Sequence, residues 1–137
     1  MKVAQIVLIE DNPADVMLIE LALKEHGIRF EMRRFAAGCE AVASLCFVEA
    51  IDLDSQQPDA ILLDLNTPRS DGFAVLGRLR QTPHLADVPI AVITSSTAVR
   101  DHHRSKRAGA DFYIEKHAQL EAFIAAVGGA VKLMLQA

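Results

Sequence analysis

Five short apolar runs, each followed by a longer segment of helical spacing, limit what this chain can fold into more than any other feature. Residues 4–9 (AQIVLI) form the first run and Ala60–Leu63, Pro89–Ile93 and Phe112–Ile114 three others, while the second, Met32–Phe35, is a short strand with Arg33 and Arg34 inside it. A continuous apolar run of this length that includes β-branched residues, as at 4–9, is expected of a strand covered on both faces, as in a parallel sheet. The intervening segments carry helix punctuation. Asn12 stands as N-cap before Pro13, with Asp15 in the first turn, an apolar stripe of Val16, Leu18, Ile19, Leu21 and Leu23, and Gly27 as the stop. A second helix is predicted from Gly38 to Ile51, with Val42, Leu45, Cys46 and Glu49 at helical spacing and Asp52–Pro58 as its loop. The loop from Asn66 to Gly72 opens a third helix through Leu79. Val99–Ala108 is a basic fourth, closed by Gly109, and Leu120–Leu135 the last.

Alternation of this kind means right-handed βαβ units and helices on both faces of one sheet. The expected fold class is α/β: a flavodoxin-like, doubly wound five-stranded parallel sheet of order 2-1-3-4-5 with five helices. The 137 residues are one domain's worth of chain, and a single domain with no linker to a second one is expected. A net charge of −4 offers no general attraction to nucleic acid. No apolar run approaches a membrane span, and residues 1–9 run straight into two acids rather than a signal peptide. Cys39 and Cys46, seven apart on a helix, would have Cα atoms ~10 Å apart, too far to bridge. Free thiols and the missing leader give an expected cytoplasmic location.

In such a sheet ligands bind at the carboxyl ends of the strands, beside the switch point between strands 1 and 3. Strand 1 ends in Glu10-Asp11, strand 3 in Asp64, strand 4 in Thr94 and strand 5 in Lys116; strand 2 contributes nothing of the kind. Singly, each acid reads equally well as a cap for the helix that follows. Together, three carboxylates repel, at a cost of about 4 kcal/mol for a pair 4 Å apart at an effective dielectric of about 20. A hard divalent cation offsets this, and Mg²⁺ is the abundant choice. Glu10, Asp11, Asp64 and a backbone carbonyl near Asn66 are its expected protein ligands.

The segments IEDNP (9–13), LLDLNTP (62–68), VITS (92–95) and GADFYIEK (109–116) resemble the receiver domain of two-component response regulators, the single-domain kind typified by the chemotaxis regulator. They span nearly the whole chain in the family's order and spacing. The resemblance implies that Asp64 accepts a phosphoryl group from a sensor histidine kinase or a phosphotransfer protein. Glu10 and Asp11 would hold Mg²⁺. Thr94 and Lys116 would contact the phosphoryl oxygens, and Tyr113 would be the aromatic switch. It also implies a signalling switch, not an enzyme acting on an external substrate, whose output face is helix 4, strand 5 and helix 5. The long interval from Asp11 to Asp64, with NPADVMLI at 12–19, resembles the longer regulators paired with phytochrome-type kinases.

Departures from the family pattern are His117 in place of a proline after the lysine, Ser95 after Thr94, and Thr67 in place of an apolar residue. A haloacid-dehalogenase-like phosphatase would need a second acid two residues after its nucleophile, where this chain has Asn66. An FMN carrier would meet repulsion from Glu10-Asp11. An interaction module without phosphoryl chemistry would lack an acid, the hydroxyl or the lysine, and all are present.

The basic helix 4 (Arg100, His102, His103, Arg104, Lys106, Arg107) reads either as a solvated face or as a docking surface for an acidic partner or a second copy. Adjacent His102 and His103 point to different faces, so a paired metal site is not expected. Helix 5 (Leu120, Phe123, Ile124, Val127, Val131, Leu133, Met134, Leu135) is more apolar than one buried face requires. Its Gly128-Gly129 pair permits close approach of another backbone. A homodimer is therefore expected through helix 4, strand 5, helix 5 or the C-terminal tail.

Overall fold

Each strand of the computed structural model runs in the same direction as its neighbours, and the sheet order is β2-β1-β3-β4-β5. The structure describes residues 2–47, 57–67, 71–96, 98–116 and 119–136. In chain order the elements are β1 (Ala4–Ile9), α1 (Pro13–Glu25), β2 (Phe30–Phe35), α2 (Gly38–Leu45), β3 (Ala60–Asp64), α3 (Gly72–Gln81), a 3₁₀ turn (Pro83–Leu85), β4 (Ile90–Thr94), α4 (Val99–Ala108), β5 (Phe112–Glu115) and α5 (Leu120–Leu135). The expected α/β class, strand order and five helices are those observed among the described residues. No helix among them is long and apolar enough to cross a membrane.

Two apolar layers explain why the central strands are apolar throughout. Ile6, Leu8, Leu62 and Ile93 face α1 and α5, packing on Ile19, Leu23, Val127 and Val131. Val7, Ile9, Ile61, Leu63 and Val92 face the other way, onto Leu45, Val75, Leu76 and Leu79 of α2 and α3. Successive strand residues point to opposite faces, so both must be apolar when both are covered.

Several boundaries differ from expectation, each for a local reason. β2 starts at Phe30 instead of Met32; as an edge strand paired only to β1 it tolerates Arg33 and Arg34. β4 starts after Pro89, which lacks an N–H and serves as acceptor for Ile61. In α1 the buried stripe uses Ala22, and Leu21 is 39% exposed. The helix α2 closes at Leu45 with Cys46 as its C-cap, short of Ile51; residues 48–56, including Glu49 and most of the Asp52–Pro58 loop, lie outside the described residues. So does His117. Cys39 is exposed and Cys46 half-buried, and no disulfide joins the two.

α5 spends most of its apolar surface inside the chain. Phe123, Ile124, Val127, Val131 and Met134 are buried, leaving Leu120 and Leu133 exposed at 49% and 57%. The close approach at Gly128 is also internal, which corrects the expectation of a second backbone there. A Cβ at Gly128 would overlap the imidazole of His26, at the C-terminal end of α1, whose Nδ1 lies 2.9 Å from the Ala22 carbonyl.

Candidate functional site

The carboxyl ends of β1, β3, β4 and β5 meet at one edge of the sheet and carry Glu10, Asp11, Asp64, Thr94 and Lys116. Parallel register does this directly: Ile9 pairs with Leu63, Asp64 with Ile93, and Thr94 with Glu115. Glu10, Asp64 and Thr94 are buried, while Asp11 and Asn66 are exposed. Lys116 follows β5 directly, its N–H donating to the Thr94 carbonyl at 2.8 Å.

The Lys116 ammonium is the centre of the polar cluster. Its Nζ lies 3.0 Å from Asp64 Oδ2, 3.2 Å from Glu10 Oε1 and 3.0 Å from Asp15 Oδ2. Burial alone would lower its pKa, but hydrogen bonds to Asp15 and Asp64 and the charges of Asp64 and Glu10 hold it above the usual lysine value. Glu10 responds the opposite way to its surroundings. Burial, then its contact with Asp64, push its carboxyl up to about 8, against the pull of Lys116 and of the Asn12 N–H.

Small hydrogen bonds fix the remaining groups. Asp64 Oδ1 accepts from the Asn66 N–H at 2.9 Å, and Glu10 Oε2 from the Asn12 N–H at 3.2 Å. Thr94 Oγ1 accepts from the Ser96 N–H at 3.1 Å and the Asn66 side-chain amide at 3.5 Å, which leaves its own proton free to donate. Ser96 is a junction. Its hydroxyl lies 2.6 Å from Asp101 Oδ2 on α4, and its carbonyl accepts from the Tyr113 hydroxyl at 2.9 Å. Burial raises the pKa of that half-buried phenol, so it remains a donor at neutral pH. The Tyr113 ring stacks on His102, centroids 4.6 Å apart and tilted by 4°. His102 and His103 are 6.4 Å apart between ring centroids, and neither belongs to a metal-capable cluster among the described residues.

Glu10, Asp11 and Asp64 each offer a carboxylate oxygen, all within 4.8 Å of one another. Glu10 Oε1 is buried and makes no hydrogen bond, only the ion pair with Lys116. An oxygen-only set with a buried, under-used acceptor fits a hard divalent cation that completes its shell with water. Beside it a cleft of about 380 Å³ lies between Asn66, Thr94–Ser96, the start of α3 and Arg104 of α4.

Two residues of this edge escaped the sequence reading. Asp15 looked like an ordinary first-turn acid, yet it is the third carboxylate on Lys116. β2 was expected to contribute nothing, but its Arg34 donates from Nε to the Glu10 carbonyl and from Nη2 to the Asp11 carbonyl, both at 3.0 Å. That guanidinium holds the acidic turn after β1 in place. The only prior signal was two arginines inside a strand.

The model of the response regulator receiver domain matches residues 6–128. The chain belongs to that family. It is 33% identical over 131 residues to the response regulator Rcp1 of Synechocystis sp. (strain ATCC 27184 / PCC 6803 / Kazusa), covering 96% of this chain and 88% of Rcp1. It spans about half the length of another relative from the same organism, the DNA-binding dual master transcriptional regulator RpaA: 32% identity over 90% of this chain but 47% of RpaA. Among solved structures, the phosphorylated cyanobacterial phytochrome response regulator RcpA superimposes with a TM-score of 0.85 at 34% identity, covering 98% of this chain and 95% of that one. The Mn²⁺-bound form of Rcp1 gives 0.83 at 32% identity, covering 97% and 95%. The receiver fold and the likeness to phytochrome response regulators are thus as the sequence motifs implied.

Proposed function

We propose that the chain is a phosphoryl-accepting switch of a two-component system, with Asp64 as acceptor. The observation that carries this is the setting of Asp64: a buried carboxylate at the end of β3, held by the Asn66 N–H and 3.0 Å from the Lys116 ammonium, inside a cluster with Glu10 and Asp11. An Asp64 oxygen attacks the phosphorus of a phosphohistidine on a sensor histidine kinase or phosphotransfer protein. The O–P bond forms, the P–N bond breaks, and the departing imidazole nitrogen keeps the electron pair and takes a proton from solvent.

Glu10, Asp11, Asp64 and the carbonyl at Asn66 would hold the cation, which offsets negative charge on the transferring group when bound. Mg²⁺ is the ion proposed; a histidine-kinase receiver domain from Pseudomonas aeruginosa PAO1, 27% identical with a TM-score of 0.70 over 98% of this chain and 96% of that one, is described with magnesium in its active-site cleft. Lys116 pairs with a phosphoryl oxygen, and the free proton of Thr94 donates to another. Drawing Thr94 inward pulls on Ser96, and through it on Asp101 of α4 and Tyr113 of β5. The α4–β5–α5 face thereby reports the phosphorylated state to a partner.

The reading covers the receiver domain alone, proposed to work in the cytoplasm and to act on no external substrate beyond its own phosphorylation and dephosphorylation. A phytochrome-type kinase is the proposed donor, supported by the likeness to RcpA. Neither nucleic acid nor membrane is a proposed partner. Self-association through the exposed Val99, Leu120 and Leu133 is proposed for the output face; a monomer by light scattering at tens of micromolar, with and without a phosphoryl mimic, would count against it. The central test is intact-protein mass after incubation with acetyl phosphate. A Mg²⁺-dependent gain of one phosphoryl group, labile to hydroxylamine and abolished by Asp64→Asn in a folded protein, is expected. Undiminished uptake in that variant would sink the acceptor assignment.

A further inference from the structure

We infer that Asp15 is a positioning residue for the phosphoryl transfer, holding the Lys116 ammonium over Asp64 while the other two carboxylates are drawn away. The inference rests on the reading of Asp64 as acceptor and Lys116 as its partner. The Lys116 ammonium is ringed by three carboxylates: it donates hydrogen bonds to Asp64 and Asp15 and forms an ion pair with Glu10. Glu10 and Asp64 belong to the cation-binding set, and Asp15 does not. A bound cation competes with Lys116 for the oxygens of Glu10 and Asp64, and phosphorylation removes the carboxylate charge of Asp64 itself. The contact with Asp15 is the one the reaction does not consume.

Its own position is fixed. Asn12 Oδ1 accepts from the Ala14 N–H at 2.9 Å, the Asn12 carbonyl accepts from the Val16 N–H at 3.1 Å, and the Val16 side chain is buried. Asp15 therefore projects from a capped helix start with a packed neighbour. A lysine has a long flexible stem, so an anchor on a rigid element decides where its charge sits. An exposed ion pair would matter little. This one is sheltered, the two side chains being 22% and 23% exposed.

The test measures Mg²⁺-dependent phosphoryl uptake from acetyl phosphate in the full chain and in Asp15→Ala and Asp15→Asn, with Mg²⁺ affinity and the Lys116 ζ-nitrogen NMR signal followed in parallel. Asp15→Ala should lower the rate at saturating donor by about tenfold or more, as for a lost charge-assisted hydrogen bond. Half-saturation should stay within about twofold, because a positioning group acts on the transition state. Asp15→Asn, which keeps an acceptor oxygen, should recover part of the rate, and the Lys116 signal should broaden in Asp15→Ala alone. A wild-type rate in Asp15→Ala would overturn the inference. So would a Mg²⁺ affinity that falls by the same factor as the rate, since Asp15 would then act through the cation. If the unaltered chain gains no phosphoryl group, the acceptor reading falls and this inference with it; uptake that ignores Asp15 sinks the inference alone.

Discussion

Divalent-cation binding should depend steeply on pH near neutrality, and the dependence should trace to Glu10. The carboxyl group is fully buried, touches Asp64, and is pushed up to about 8. A cation takes the carboxylate, not the acid, so binding must expel the proton that the Glu10–Asp64 pair retains below that value. Apparent affinity should therefore rise about tenfold per pH unit up to pH 8 and then level off, leaving it about a hundredfold weaker at pH 6 than at pH 9. Isothermal titration with Mg²⁺ in buffers of different ionisation heat measures both quantities. About one proton should be released per cation at pH 6.5, falling toward none by pH 9. Glu10→Gln should bind more weakly and with a much flatter pH dependence.

Stability of the cation-free protein carries the same signature with its sign set by linkage. Because the folded pKa of Glu10 lies above the ordinary 4.5, its contribution is fully present below 4.5 and is lost as pH rises toward 8. The loss is up to about 1.4 kcal/mol per pH unit from this group, read as the difference between the unaltered chain and Glu10→Gln in urea melts. Lys116, whose pKa is also raised, contributes fully below 10.5 and so adds no slope in this window. Mg²⁺ should flatten the slope. Affinity independent of pH between 6 and 8, with no proton release, would refute the reasoning.

Two stability predictions concern positions away from this edge. Arg80 donates to the carbonyls of Leu85, Ala86, Val88 and Gly109 and to Asp111, tying α3 to the starts of β4 and β5. Arg80→Ala should cost about 2–4 kcal/mol, since several sheltered acceptors lose their donor together; a urea midpoint within error of the unaltered chain would remove Arg80 from the fold's supports. Gly128→Ala would drive a methyl group into the His26 ring. It should destabilise by about 1–3 kcal/mol, with recovery in a Gly128→Ala/His26→Ala pair, and simple additivity of the two changes would contradict the contact.

Most of the site was legible because its residues are marked by local chemistry. A strand of four to six apolar residues that stops at an acid, a threonine or a lysine announces which side chain stands at the sheet edge, and topology gathers those ends. Arg34 and Asp15 were misjudged for a common reason. Each reads as something ordinary in its own segment, and its partner lies far away in the chain. The same holds for Gly128, whose neighbour is on α1, and for α5, whose surplus apolar residues turned out to face that helix and the sheet.

The sequence by itself determined the order of elements, the sheet topology and the five strand-end groups, because hydrophobic periodicity and helix caps act over a few residues and parallel crossovers allow one hand. What only the tertiary structure decided is how those groups share charge. Lys116 meets Asp15 across 101 residues and Asp64 across 52, and burial together with contact with Asp64 pushes the Glu10 carboxyl up. Charge sharing and desolvation depend on distances of a few ångströms between segments that the chain brings together last, and no local pattern encodes them.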